Sequence, residues 1–190
     1  MELRIWRAVL LTLLSSCLCS YIAAGSMFFK RPPKLTSGMK LAGLTTVTFG
    51  ALHFWAVAVT KDIPFLNGCI AIALYVCSLA LFWDALRTHR ANTLPTCFSS
   101  NDSPHLVTDG PYRFVRHPIY CAYLLTWCAG LAGSQNLWLI PTVLVMFVIY
   151  GVAAYSEEAM LSQSSVAQQY RDYRSRTGGF VPNPWKLMKR

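Results

Sequence analysis

From His117 to Ser156 the chain carries no Lys, Arg, Asp or Glu. A helix needs roughly 20 apolar residues to cross a hydrocarbon core of about 30 Å, so this run is long enough to cross twice. Ser134-Gln135-Asn136, flanked by Gly130 and Gly133, interrupts it, and residues 118–133 and 137–156 read as a tight helical hairpin. Three more charge-free stretches precede it, at 8–29, 41–60 and 63–83. The expected architecture is an all-α integral membrane protein: five transmembrane helices and a helical C-terminal region, 157–190, in one domain covering 1–190. The chain is 54% hydrophobic and 13% charged, about half the charge density of a soluble domain, and disorder is excluded because so apolar a chain must bury its surface. A net charge of +9 suggests nucleic acid when the chain is soluble. Here the charges lie outside the apolar runs, so the expected partner is a lipid bilayer, with no nucleic acid and no obligate protein partner. The seven cysteines form no C-x-x-C pair, and all but Cys97 lie in apolar runs. They read as small interior residues, neither a disulfide framework nor a metal site.

Lys and Arg collect on the cytoplasmic side of spanning helices. Summed on alternate sides of five spans they divide 14 to 3, which places the N-terminus outside and the C-terminus in the cytoplasm. The membrane is then the plasma membrane of a prokaryote or the endoplasmic reticulum of a eukaryote. A cleaved signal peptide over 1–24, with Arg4 and Arg7 before an apolar stretch ending Ala23-Ala24-Gly25, is the competing reading. It leaves four spans and turns the 14 positive charges outward, which disfavours it.

Span four is short, about 24 Å at 1.5 Å per residue, so its cytoplasmic end is recessed or the bilayer thins there. That end reads Asp109-Gly110-Pro111-Tyr112-Arg113-Phe114-Val115-Arg116-His117-Pro118-Ile119-Tyr120. Pro118 suits a first helical turn and holds His117 extended before it. Span five rises from Leu137 and about 20 residues later reaches Glu157-Glu158, returning two carboxylates to the depth of Arg113, Arg116, His117 and Tyr120. Each residue alone has an ordinary explanation: anchoring arginines, solvated glutamates, a capping histidine, and Tyr120 and Tyr123 as interfacial belt. Their convergence at one depth argues for a site.

Val107-Thr108-Asp109-Gly110-Pro111-Tyr112-Arg113-Phe114-Val115-Arg116-His117-Pro118-Ile119-Tyr120, then Glu157-Glu158, Tyr170-Arg171-Asp172-Tyr173 and Arg176-Thr177-Gly178-Gly179-Phe180-Val181-Pro182, resemble the isoprenylcysteine carboxyl methyltransferase family. That family is related to the phospholipid N-methyltransferases. The resemblance implies an integral membrane enzyme that uses S-adenosyl-L-methionine, held without a Rossmann sheet. It also implies that Val107, Gly110, Tyr112, His117, Tyr120, Glu157 and Glu158 form the cofactor site, with Glu158 also stabilising charge. Arg116 and Arg176 become candidates to bind the carboxylate of the cofactor or of the acceptor. Ser164-Ser165-Val166-Ala167 stands where the family carries Phe-Gly, so either glutamate can be the cofactor ligand.

The reaction expected is methyl transfer to a lipophilic acceptor, led by an isoprenylcysteine-type carboxylate. A carboxylate, with a pKa of about 4, is already ionised and needs only an Arg to aim it. A lipid amine or hydrophobic phenol, with a pKa of about 10, needs a base such as His117 or a glutamate. Trp83, Phe114, Tyr123 and Trp127 are available to line an apolar approach. An NADPH-dependent membrane reductase shares this architecture. A non-catalytic scaffold leaves the polar convergence unexplained, and a transporter places its ionisable groups at mid-bilayer.

Overall fold

The computed structural model of the chain describes residues 2–27, 37–91 and 106–187. These residues form seven α-helices: α1 Glu2–Met27, α2 Ser37–Val59, α3 Phe65–Ala91, α4 Pro118–Ser134, α5 Ile140–Ser162, α6 Ala167–Arg176 and α7 Pro184–Leu187. Among the described residues there is no β-strand, and an isolated parallel bridge joins Val115 to Gly178. Four stretches among the described residues, Glu2–Gly25, Lys40–Val59, Phe65–His89 and Leu137–Ser162, are long and apolar enough to cross a membrane. The fourth expected span, α4, has 17 residues and is not among them.

The helices overrun the expected spans. α1 starts at Glu2, α3 continues to Ala91 and α5 to Ser162. Bilayer thickness limits the apolar length, but a helix satisfies its own backbone and can continue into polar surroundings. Glu157 and Glu158 consequently sit on α5 itself and not beyond it. The hairpin tip forms where the polar tripeptide predicts it. Gln135 takes a left-handed φ of 54°, Asn136 Oδ1 accepts from Trp138 N at 3.1 Å, and a 3-10 turn, Leu137–Leu139, leads into α5. Residues 28–36 and 92–105, with the end of the first expected span, most of the 30–40 loop and Cys97, lie outside the described residues.

The chain forms two compact units. The first joins Met1–Leu79 to Tyr123–Ile149, and the second joins Ala80–Ala122 to Tyr150–Arg190.

In the first unit α1 contributes Leu10, Leu14 and Cys17, spaced to share one helix face. They are buried with Val57, Ile63, Ala71, Tyr75 and Ala129. Polar side chains tie the helices where no water competes. The hydroxyls of Tyr21, Ser78 and Thr126 form a closed triangle with sides of 2.5, 2.7 and 2.9 Å. His53 Nε2 lies 2.8 Å from Thr142 Oγ1. At the C-terminal end of α4 the carbonyls of Ala132 and Ser134 accept from Asn67 Nδ2 at 3.3 Å and Thr60 Oγ1 at 2.9 Å, which satisfies carbonyls a helix end leaves unpaired. Leu44 and Val47 of α2, Leu144 and Val148 of α5 and Trp138 of the 3-10 turn are exposed, an outward apolar surface of the kind that marks contact with a membrane or a partner.

Candidate active site

The second unit holds the polar block. Gly110-Pro111-Tyr112-Arg113 forms a 3-10 turn with proline in its first positions. Gly110 has φ +54°, and a Cβ there would collide with Thr88 of α3, so both backbone conformation and space demand glycine. The turn closes at Phe114 and Val115, whose N–H groups donate to Pro111 O, and the chain then passes through Arg116 and His117 to Pro118, which opens α4.

Along this non-helical stretch the tail supplies the hydrogen bonds that no helix provides. Arg116 N donates to Gly178 O at 2.9 Å and Gly179 O at 3.1 Å, His117 N to Gly179 O at 3.3 Å, and Gly178 N to Phe114 O at 3.3 Å. Tyr173 donates its hydroxyl to Tyr112 O at 2.8 Å, and the Cys121 thiol donates to Phe180 O at 3.0 Å. A Cβ on Gly178 would strike the Val181 carbonyl, so this close turn also depends on glycine. Residues 112–121 are thus laced to residues 173–180.

This lacing aims Arg116 and His117 at α5. Glu158 Oε1 accepts from Arg116 Nε at 2.8 Å and from His117 Nε2 at 2.9 Å. Its Oε2 lies 3.7 Å from Arg174 Nε. Arg116 also donates through Nη1 to Thr177 O at 2.8 Å. His117 Nδ1 lies 3.5 Å from Glu157 Oε2, and the Tyr120 hydroxyl donates to Glu157 Oε1. An ionised carboxylate can only accept, so His117 carries a proton on Nε2. Three rings stack beside these groups: His117 on Tyr120 at 5.8 Å and 18°, and Tyr120 on Tyr150 at 5.5 Å and 7°.

Tyr170 of α6 is buried and its hydroxyl has no hydrogen-bond partner. Burial first, and the Glu158 charge second, push its ionisation above the usual phenol range, so it stays a neutral donor. His89 Nδ1 is likewise buried without a partner, its ring edge-on to Tyr112 at 4.9 Å.

The structure therefore brings together Arg116, His117, Tyr120, Glu157 and Glu158, with Tyr112 buried against His89. Val107 is half-buried and Gly110 exposed on the segment entering the 3-10 turn. Arg176 is exposed at the end of α6, and the α6 arginine that pairs with Glu158 is Arg174. Of the expected apolar lining, Trp83 and Phe114 belong to this unit, whereas Tyr123 and Trp127 pack against Tyr21 and His53 in the first. Sequence reasoning passed over Tyr150, although it precedes Glu157 by two helical turns and so shares its face. Tyr170 and Arg174 carried no assigned role. The Thr177 carbonyl could not be found that way, because every residue carries the same backbone acceptor.

A helical hairpin that folds arginine, histidine, tyrosine and two glutamates into one knot beside stacked aromatic rings has the makings of an enzyme built on apolar helices. The sequence family described as phospholipid methyltransferase matches residues 63–165, just over half the chain, and the protein belongs to that family of methyltransferases. The match contains Gly110 to Tyr120 and both glutamates and ends before α6. Among curated proteins none matches this chain.

Proposed function

We propose that the protein is a multi-pass membrane enzyme that transfers a methyl group from S-adenosyl-L-methionine to a lipophilic acceptor. The observation that carries this is the knot of Arg116, His117, Tyr120, Glu157 and Glu158, next to two buried polar atoms without partners, Tyr170 Oη and His89 Nδ1. These groups fit a ligand that bears an ammonium, hydroxyls and a sulfonium. Carboxylates attract its positive charges, ring faces favour a cation, and the two unpartnered atoms offer hydrogen bonds. Bound there, the cofactor supplies an electrophilic methyl group on sulfur.

The chain's task is then positioning, which is most of what a protein can add to an in-line displacement. Glu157 and Glu158 hold the cofactor's cationic and hydroxyl groups. His117 and Tyr120 orient those glutamates and present ring faces. Val107, Gly110 and Tyr112 form the wall before α4. Arg116, engaged with Glu158 and Thr177, is a positioning residue, and Arg176 is an exposed cation available to an acidic acceptor.

The leading acceptor is an isoprenylcysteine-type carboxylate, supported by the 107–120, 157–158 and 170–182 blocks. A lipid amine is the second reading. The family match favours it, and so does the commitment of Arg116 to internal partners, which removes one cation from acceptor binding. The amine's proton would pass to Glu157, the acceptor of the Tyr120 hydroxyl bond.

The proposed topology has five spans. α4, about 25 Å long, crosses a locally thinned bilayer, and the 14 to 3 charge split puts the C-terminus in the cytoplasm. Two measurements test the function. Purified protein in detergent is titrated with S-adenosyl-L-methionine and with NADPH, and only the first should bind. Methyl transfer is then assayed to a farnesylated cysteine analogue, an aminophospholipid and a water-soluble acid of matched pKa. Transfer to either lipophilic acceptor supports the proposal and names the acceptor, whereas NADPH binding or transfer to the soluble acid alone overturns it.

A further inference from the structure

The tail that laces the site continues into apolar side chains that the described residues of the second unit leave exposed. Gly178 to Phe180 hold Arg116, His117 and Cys121 through their carbonyls. The next side chain, Val181, is 74% exposed, and Trp185, between Pro182 and the chain's end, is 77% exposed. Phe114, whose carbonyl accepts from Gly178 N, is 49% exposed. Exposed arginines stand on the neighbouring elements: Arg113 precedes Phe114 on the 3-10 turn, and Arg171 and Arg176 lie on α6, which packs against α7, the helix of Trp185. From residue 167 onward the sequence has six Lys and Arg against one acidic residue, Asp172.

We propose that Val181, Trp185 and Phe114, together with Arg171 and Arg176 of α6, form a docking surface for an anionic phospholipid headgroup layer. Charge complementarity selects this occupant. Basic side chains beside an exposed Trp match an interface where anionic headgroups lie over the hydrocarbon boundary. A protein partner recognised by so cationic a face would have to be strongly acidic.

The surface has a consequence for the site. The docked residues follow directly on the carbonyls that hold Arg116 and His117, so anionic lipid restrains the tail in the arrangement that aims both side chains at Glu158. The docking does not rest on the identity of the methyl acceptor.

The test uses the full chain in lipid nanodiscs of phosphatidylcholine alone or with about a third phosphatidylglycerol, carrying brominated acyl chains as fluorescence quenchers. The contribution of Trp185 is the difference between the native protein and Trp185→Phe, both checked for helicity by circular dichroism. That contribution should be quenched in discs containing phosphatidylglycerol, more weakly in phosphatidylcholine alone, and less at high salt. One arginine near an anionic surface adds about fivefold to partitioning, so Arg171→Gln combined with Arg176→Gln should lower the docked fraction's equilibrium constant roughly tenfold or more. A second readout is the dissociation constant of S-adenosyl-L-methionine, which should be tighter in the anionic discs. Trp185 fluorescence equally quenched in both lipids, or quenched in neither, overturns the proposal. So does protection of Trp185 that appears only with self-association, which would make the surface an interface between copies of the chain.

Discussion

His117 Nε2 lies 2.9 Å from Glu158 Oε1, although 41 residues separate them. A carboxylate on the last turns of α5 is thereby fixed to the residue that precedes α4. The same oxygen takes Arg116 Nε at 2.8 Å, so one acceptor collects two donors that adjacent residues supply.

Replacing Glu158 takes the negative charge from both bonds and leaves Arg116 short of an acid partner. Glu158→Gln keeps the shape and one acceptor oxygen. It should weaken cofactor binding by one to two decades, because a hydrogen bond to a charged group contributes about 1.5–3 kcal/mol. Calorimetric titration of purified variants checks this. Glu158→Ala should bind more weakly still and unfold earlier, and unchanged binding in both variants would remove Glu158 from the site.

Arg116→Lys retains the charge but not the planar fork that reaches Glu158 and Thr177 O together. Lysine cannot reproduce that two-pronged geometry. Thermal unfolding in detergent should drop by the equivalent of about 1–3 kcal/mol, and protease cleavage after residue 176 should quicken as the tail loosens. A variant as stable and as resistant as the native protein would show that the tail is held by its backbone bonds alone.

Tyr120→Phe separates two roles of one ring. The hydroxyl bond to Glu157 is lost, while stacking on His117 and Tyr150 remains. Cofactor affinity should fall about tenfold, in line with the loss of one bond to a charged acceptor, with little change in melting temperature. Tyr150→Leu should do the reverse to the ring stack and lower the melting temperature more than Tyr120→Phe does.

Gly110→Ala tests backbone and space at once. A non-glycine residue at φ +54° costs about 1–3 kcal/mol, and the added Cβ meets Thr88. Thr88→Ala in the same chain should restore only the steric share, so the double variant should melt between Gly110→Ala and the native protein. Full rescue would mean that the φ value carries no strain.

Orientation has its own measurement. In a chain without native cysteines, a cysteine at Gln135 should react with a membrane-impermeant thiol reagent applied outside intact cells, and one at Ser175 should not. Both positions are exposed. The opposite pattern would reverse the topology argued from the charge split.

The sequence by itself determined the helices and roughly where each apolar run lies, because the cost of exposing backbone to hydrocarbon leaves few alternatives to helix. It also placed the hairpin tip, since Ser134-Gln135-Asn136 is the polar break in a long apolar run, and it marked Arg116, His117, Tyr120, Glu157 and Glu158. What it left undecided is how those side chains pair. That Glu158 takes both Arg116 and His117 while Glu157 takes Tyr120 depends on helix rotation to within a fraction of a turn. The roles of the Thr177, Gly178 and Gly179 carbonyls, and the choice of Arg174 over Arg176 beside Glu158, were settled only by the tertiary structure. A backbone acceptor leaves no mark in a sequence, and two arginines two residues apart on a helix point in nearly opposite directions.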